Sequence, residues 1–409
     1  MSYQRLMEIS TDLIEEAGNY TYVRANLLAA LEPPNKNVVI LKGARGIGKS
    51  TLIQQFLLKK RTLGSNVFYI SADSTLLDVK LAELAHEYYK RSGEYLAIDE
   101  IHKYTDWQAE IKTILDSFPK LKLMVSGSSS LSLDYASADL SRRHIMLHAK
   151  GLSFREYLNK KYDLDLEIYS LLEILKSPET ITSKIIKIFN QKKLDLMELF
   201  HRYLKEGYFI SRDNYATESI YYDSLTNSIN SIIDSDLSSV HKEIDNVSKK
   251  NIKILLKHIA NKCPFTPNIS ELSRHLGIIS DNVLKKYLYY LHEGEVLINL
   301  YSTNKSHKDF QKPQKILLNN TNYSYAFSQE PTIGTIRETF VANCLSLQEK
   351  LTAPTIGDFC VNDQWTLEIG GKSKDNRQIK SIPNSYVLSD NILSFTNGNI
   401  PLWILGFLW

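Results

Sequence analysis

The sequence predicts an α/β protein built on a mostly parallel sheet flanked by helices, and three observations carry that prediction. Short apolar runs at residues 38–41, 67–70, 95–98 and 121–125, with a further one at 145–148, alternate with helix-length segments. This alternation specifies parallel strands joined by helical crossovers. The stretch VVILKGARGIGKST, residues 38–51, joins the first strand to an amphipathic helix through a glycine-rich loop. The run at 95–98 ends in Asp99-Glu100, paired acids at a strand tip, where open parallel sheets carry their sites.

The loop GARGIGKS fits the phosphate-loop pattern G-x-x-x-x-G-K-[ST] in its required context, a strand before and a helix after. Gly43, Gly46 and Gly48 let the backbone bend so that successive N–H groups face phosphate oxygens. The positive end of the following helix faces the same anion. The expected nucleotide-binding set is therefore Gly43, Arg45, Gly46, Ile47, Gly48, Lys49, Ser50 and Thr51, with ATP and Mg²⁺ as cofactors. Lys49 reaches the β- and γ-phosphates, Ser50 and Asp99 hold the metal, and Glu100 polarises the attacking water. A helix N-terminus favouring acids is the plainer reading of Asp99-Glu100. Their spacing after the loop argues for the catalytic one. A whole strand separates the loop strand from the acidic strand, the additional-strand arrangement.

Ser126, at the tip of the next strand, stands where a sensor hydroxyl contacts γ-phosphate or water. Arg142 and Arg143 follow, either as arginines acting on phosphate within the chain or across a subunit boundary, or as surface ion pairs. His144 and His148, four apart on a strand, favour packing over metal binding.

Bulk properties bound the rest. A 409-residue chain with 43% hydrophobic and 23% charged residues suits a soluble protein of several domains. Net charge is only +3, yet residues 246–325 hold twelve Lys/Arg against five Asp/Glu. Three cysteines without a CxxC spacing suit a reducing cytosol. No apolar run reaches bilayer length, and residues 400–409 are about half as long as a span requires. The start lacks a signal-peptide core. A cytoplasmic location without membrane contact is expected.

Along the chain, residues 1–36 read as an N-terminal helical segment, with helix over 1–31 ending before Pro33-Pro34. The nucleotide core spans 37–150. Residues 151–245, rich in Leu, Ile, Lys and Glu at helical spacing, read as a helical lid or connector. Residues 246–328 read as three helices and two strands, a winged helix-turn-helix. Its second helix is expected at 271–276, capped by Ser270 and closed by Gly277, and its third begins near Ser280. On that third helix Lys285, Lys286 and Tyr289 share the outer face, as a DNA-contacting helix requires, although a solvated face reads the same way. Residues 329–409 carry Asp358 on one strand and Glu368 with Lys372 on the next. A restriction-endonuclease-type fold holds Mg²⁺ with such acids, but wants the lysine where Gly370 stands.

These pieces together resemble a large prokaryotic family of AAA-type ATPases with a C-terminal restriction-endonuclease-like domain. The resemblance rests on GARGIGKST, YLAIDEIHKYTDWQAEIK, LKLMVSGSSS, LSRRHIMLHAKGLSFREYL, PNISELSRHLGI, QKPQKILLNN, GTIRETF, LEIGGK and IPLWILGFLW. It implies an AAA-like P-loop NTPase core, a helical lid, a winged helix and a small α/β nuclease-like end domain. Lys49, Ser50, Asp99 and Glu100 match its nucleotide site and Ser126 its sensor. Arg142 or Arg143 falls where such proteins place an arginine. Asp358, Glu368 and Lys372 match its nuclease motif with the lysine displaced. Three functions follow as expectations: an ATP-driven switch or motor, an ATP-regulated nuclease, and a non-catalytic DNA-binding regulator. The expected partners are DNA, a protein, or further copies of the chain.

Overall fold

The computed structural model describes residues 3–34, 37–75, 77–128, 140, 142–278, 280–302, 312–328, 330–346 and 349–409. The serines at 129 and 130 and the connection at 303–311 between the two expected wing strands lie outside these residues. The chain packs as two units: residues 1–150 with 235–243, and residues 151–234 with 244–409.

The first unit begins with α1 (Tyr3–Glu16) and α2 (Ala25–Ala30). The single helix expected over residues 1–31 is thus two, broken by a turn at Ala17–Asn19 and an extended stretch after it. Gly18 and Asn19 disfavour helix there, and the Gln55 amide satisfies the released Tyr20 and Tyr22 carbonyls at 3.3 and 3.1 Å. Then follow β1 (Val38–Lys42), α3 (Lys49–Thr62), β2 (Val67–Ser71), α4 (Leu81–Lys90), β3 (Tyr95–Asp99), α5 (Trp107–Ser117), β4 (Lys122–Gly127) and β5 (His144–His148). All pairings are parallel, in the order β2-β3-β4-β1-β5. As the sequence implied, β4 separates the loop strand from the acidic strand. Val38 to Leu41 are fully buried, because a sheet covered on both faces needs an unbroken apolar run at its centre.

Glu32 anchors the chain just ahead of β1, paired with Lys60 and Lys122 and accepting the Tyr95 hydroxyl at 2.8 Å. Burial pushes its carboxyl up, but the bonds from Lys122, Lys60 and Tyr95 outweigh this and bring it down to about 2. A carboxyl lowered on folding adds stability that is complete above the unfolded value and drains away as pH falls through the folded one. Acid titration of thermal stability is expected to show a loss between pH about 4.5 and about 2 that Glu32→Gln reduces. An unchanged acid limb in that variant refutes the anchor.

The second unit starts with α6 (Phe154–Tyr162), α7 (Leu171–Lys176), α8 (Pro178–Lys192), α9 (Leu196–Glu206) and α10 (Glu218–Ser231). A π-helical turn, Ile232–Asp236, follows in sequence, and α11 (Leu237–Val240) after it belongs to the first unit. The chain then continues through α12 (Asn246–Ala260), α13 (Ile269–His275), α14 (Asp281–Glu293), β6 (Leu297–Leu300) and β7 (Lys315–Leu318). Strands β6 and β7 pair antiparallel. The N-cap of α13 is Asn268, not Ser270, whose hydroxyl instead donates to Asp281 at 2.6 Å and ties α13 to α14. Gly277 closes α13 at φ +65° and Ser280 caps α14, as expected. Last come α15 (Thr321–Phe327), α16 (Ile333–Leu345), β8 (Leu351–Thr352), β9 (Phe359–Val361), β10 (Trp365–Gly370), β11 (Ser385–Ser389) and β12 (Asn399–Pro401). These five strands form a mixed sheet, β12-β11-β10-β9-β8.

Packing groups these segments differently from the expected division. Phe154 meets Phe200 at 5.2 Å and Phe407 at 6.1 Å, and Phe200 meets Phe340 at 5.1 Å. The helices at 154–206, read from the sequence as a helical lid or connector, therefore share one core with the C-terminal sheet. The apolar end of the chain, Leu402–Phe407, is wholly buried in that core. Among the described residues no helix is long and apolar enough to cross a membrane. Phe200→Ala is expected to cost about 3–5 kcal/mol in urea unfolding of the second unit. A loss under about 1 kcal/mol contradicts a single shared core.

Candidate nucleotide site

The tips of β1, β3 and β4 converge on one edge of the first sheet. Gly43 begins the loop beneath the end of β5, where a Cβ would lie 2.3 Å from the Ala149 carbonyl oxygen. Gly46 and Gly48 take left-handed backbone at φ +79° and +89°, which glycine adopts without steric cost. Gly48 is the N-cap of α3, and no side chain caps it. The first N–H groups of that helix have no intrahelical acceptor, so they face the loop with the positive end of the helix dipole. Lys49 is buried, and its ammonium donates to the Gly43 and Ala44 carbonyls at 2.8 and 2.9 Å. Ile47 is 1% exposed, so its side chain is a plug for the loop and only its backbone faces a ligand.

Asp99 is buried between two donors. The Tyr69 hydroxyl donates to one carboxylate oxygen at 2.6 Å, and the Ser126 hydroxyl donates to the other. Burial, then the charge and bond of Asp99, raise the Tyr69 hydroxyl far above its usual pKa, and Tyr69 also bonds Ser50 and Gln54. Ser126 accepts the Glu100 N–H at 3.2 Å. Its proton is committed to Asp99, where the sequence predicts a hydroxyl directed at γ-phosphate or water. Glu100 itself takes left-handed backbone at φ +52°, a conformation costing a non-glycine about 1–3 kcal/mol.

Beside Glu100, His102 Nδ1 accepts the Ser128 N–H at 3.3 Å. That bond assigns the ring proton to Nε2, which points at Asp236 from 3.6 Å. Asp236 is fully buried and receives Arg45 through Nε at 3.1 Å and Nη2 at 2.9 Å, and Lys103 at 3.2 Å. Burial alone raises the Asp236 carboxyl; the His102 ring and the Arg45 guanidinium outweigh it and hold it well below the usual carboxylate range.

Arg142 and Arg143 are not brought to this edge. Val38 donates its N–H to the Arg143 carbonyl at 2.9 Å, at the start of β1, about 16 Å from the loop by strand rise. The Arg143 guanidinium pairs with Asp116. The Arg143 side chain is thereby engaged at the opposite end of the sheet from the loop. Tyr69 and Asp236 are the residues sequence reasoning missed. A tyrosine in an apolar strand reads as core, and Asp236 joins the site from 191 residues beyond Arg45.

The donor set fits the two cofactors. Uncapped amides and a buried ammonium suit polyphosphate, and the Ser50 hydroxyl and Asp99 carboxylate are hard oxygen donors that suit Mg²⁺.

In the second unit, Asp358 accepts the Ile369 N–H at 2.7 Å, and Lys315 pairs with Glu338 at 2.7 Å and approaches Asp358 at 3.7 Å. Burial raises the Glu338 carboxyl and the Asp358 and Glu368 charges add to this, against the Lys315 ammonium. The lysine paired with Glu368 is Lys374; Lys372, the expected one, is exposed. Gly370 permits the exchange, because a Cβ there would lie 2.5 Å from the Lys374 stem. Among the described residues no three His, Cys, Asp or Glu side chains group as a metal site. On α14, Lys285 is partly buried and Lys286 exposed, and the Tyr289 hydroxyl donates to Glu293 at 2.9 Å.

Residues 35–158 match the family model described as an AAA domain, so that segment is similar to AAA domains. An uncharacterized protein of Methanocaldococcus jannaschii, MJ1637, is 25% identical over 311 residues, covering 73% of this chain and 64% of that protein, under two thirds of its length. Among solved structures, replication initiator DnaA bound to AMPPCP and single-stranded DNA is 15% identical, with a TM-score of 0.28 over 72% of this chain and 92% of that one. PCH-2 from C. elegans is 12% identical, with a TM-score of 0.24 over 70% of this chain and 68% of that one.

Proposed function

We propose that the AAA-type domain binds and hydrolyses ATP with Mg²⁺, and that turnover serves as a switch or motor for the C-terminal modules. The observation that carries this reading is the meeting of an uncapped, glycine-bent loop and buried Lys49 with the oriented Asp99-Glu100 pair. The loop amides and the Lys49 ammonium bind the phosphates. Ser50 and Asp99 would hold Mg²⁺, which when bound neutralises phosphate charge. Glu100 takes a proton from the attacking water as its oxygen bonds the γ-phosphorus and the bond from that phosphorus to the β–γ bridging oxygen breaks. Ser126 keeps both acids aimed. Glu100→Gln is expected to lower phosphate release about 100-fold or more while retaining nucleotide, and Lys49→Ala to weaken nucleotide binding. Equal rates for wild type and Glu100→Gln exclude Glu100 as the base.

An ATP-regulated nuclease is the second reading, favoured by the ammonium of Lys374 at Glu368 beside Asp358 and Glu338. Incubating plasmid with Mg²⁺ or Mn²⁺, with and without ATP, tests it: cleavage abolished by Glu368→Ala supports it, and intact plasmid throughout rejects it. A nucleotide-gated DNA-binding regulator is the remaining alternative, resting on the basic residues 246–325 and the outer face of α14. Phosphate contact by Lys285 and Lys286 predicts salt-sensitive binding that their joint replacement by alanine weakens.

A further inference from the structure

Asp236 lies outside the matched AAA segment, yet it is the acceptor on which two walls of the nucleotide cleft close. Arg45 reaches it from the phosphate loop with a two-pronged hydrogen bond, while His102 and Lys103 reach it from the turn that follows Glu100. Lys103 also donates to Ser235, the neighbour of Asp236. A fully buried carboxylate loses its hydration and depends on the Arg45 and Lys103 donors, so it fixes the spacing of the segments that carry them. The π-helical turn Ile232–Asp236 presents the side chain; such turns are rare and recur at functional sites. Asp73 and Glu100 are the other acids whose charge acts on Arg45.

Resting on the ATPase reading above, we propose that Asp236 is a positioning residue of the nucleotide site, tying the phosphate loop to the His102–Lys103 turn. It touches neither substrate nor reacting atoms. Its contribution is to keep the phosphate loop in register with the turn that follows Glu100, where His102 Nδ1 lies 3.5 Å from the Glu100 carboxylate.

The test uses the full chain with Asp236→Asn, Arg45→Lys and the double variant, following kcat, KM for ATP, thermal unfolding and amide exchange over residues 43–50 and 100–103. Asp236→Asn is expected to lower kcat about 10-fold or more with KM within about 3-fold, since misplacement of catalytic groups costs rate before affinity. Arg45→Lys keeps the charge and loses the fork, so it should do the same. The double variant should be no worse than the worse single, because both break one interaction. Folded Asp236→Asn with wild-type kcat, or losses that add in the double variant, overturn the proposal. Should Asp236→Asn fail to fold, Arg45→Lys, which leaves Asp236 facing Lys103 and His102, carries the test alone. Exchange is read whether or not wild type hydrolyses ATP: faster exchange at both 43–50 and 100–103 in the variants supports positioning even if the ATPase reading fails. Faster exchange confined to residues 235–243 overturns it.

Discussion

In-register parallel pairing of β1, β3 and β4 is the constraint on which the nucleotide site depends. It lines up Leu41 with Ser126 and Ile98 with Val125, so Lys42, Asp99 and Gly127 end their strands together at one edge. The acidic pair and Ser126 are then within hydrogen-bond reach of one another. A slip of one residue would turn Asp99 into the opposite face and leave its carboxylate unpaired in the core.

Around that edge the polar groups are arranged as mutual supports. Tyr69 and Ser126 spend their protons on Asp99, and Ser126 in turn accepts the backbone of a left-handed Glu100. Burial makes each of these bonds expensive to leave unmade, which gives the cluster a single arrangement. Asp236 extends the same logic to the loop, since its buried charge is tolerated only with Arg45, Lys103 and His102 facing it.

The second unit follows a different rule. Its helices at 154–206 and its mixed sheet meet over aromatic rings, Phe154, Phe200, Phe340 and Phe407, so segments distant in sequence become one core. The Glu338, Asp358 and Glu368 carboxylates are each met by a lysine, Lys315 or Lys374, and the glycine at position 370 makes room for the second of these.

The sequence by itself determined the strand–loop–helix around Gly43 to Thr51, the alternating order of the first sheet, and the acids at the tip of β3. Those features are local: glycine spacing, apolar runs and one strand-end motif are written in consecutive residues. Tertiary packing alone puts Arg143 at the far end of the sheet, the Ser126 and Tyr69 hydroxyls on Asp99, Lys374 in place of Lys372 at Glu368, and Asp236 against Arg45. Each of these depends on which residues from separate elements share a small buried volume. That is set by strand register and core packing, and no stretch of the chain read alone contains it.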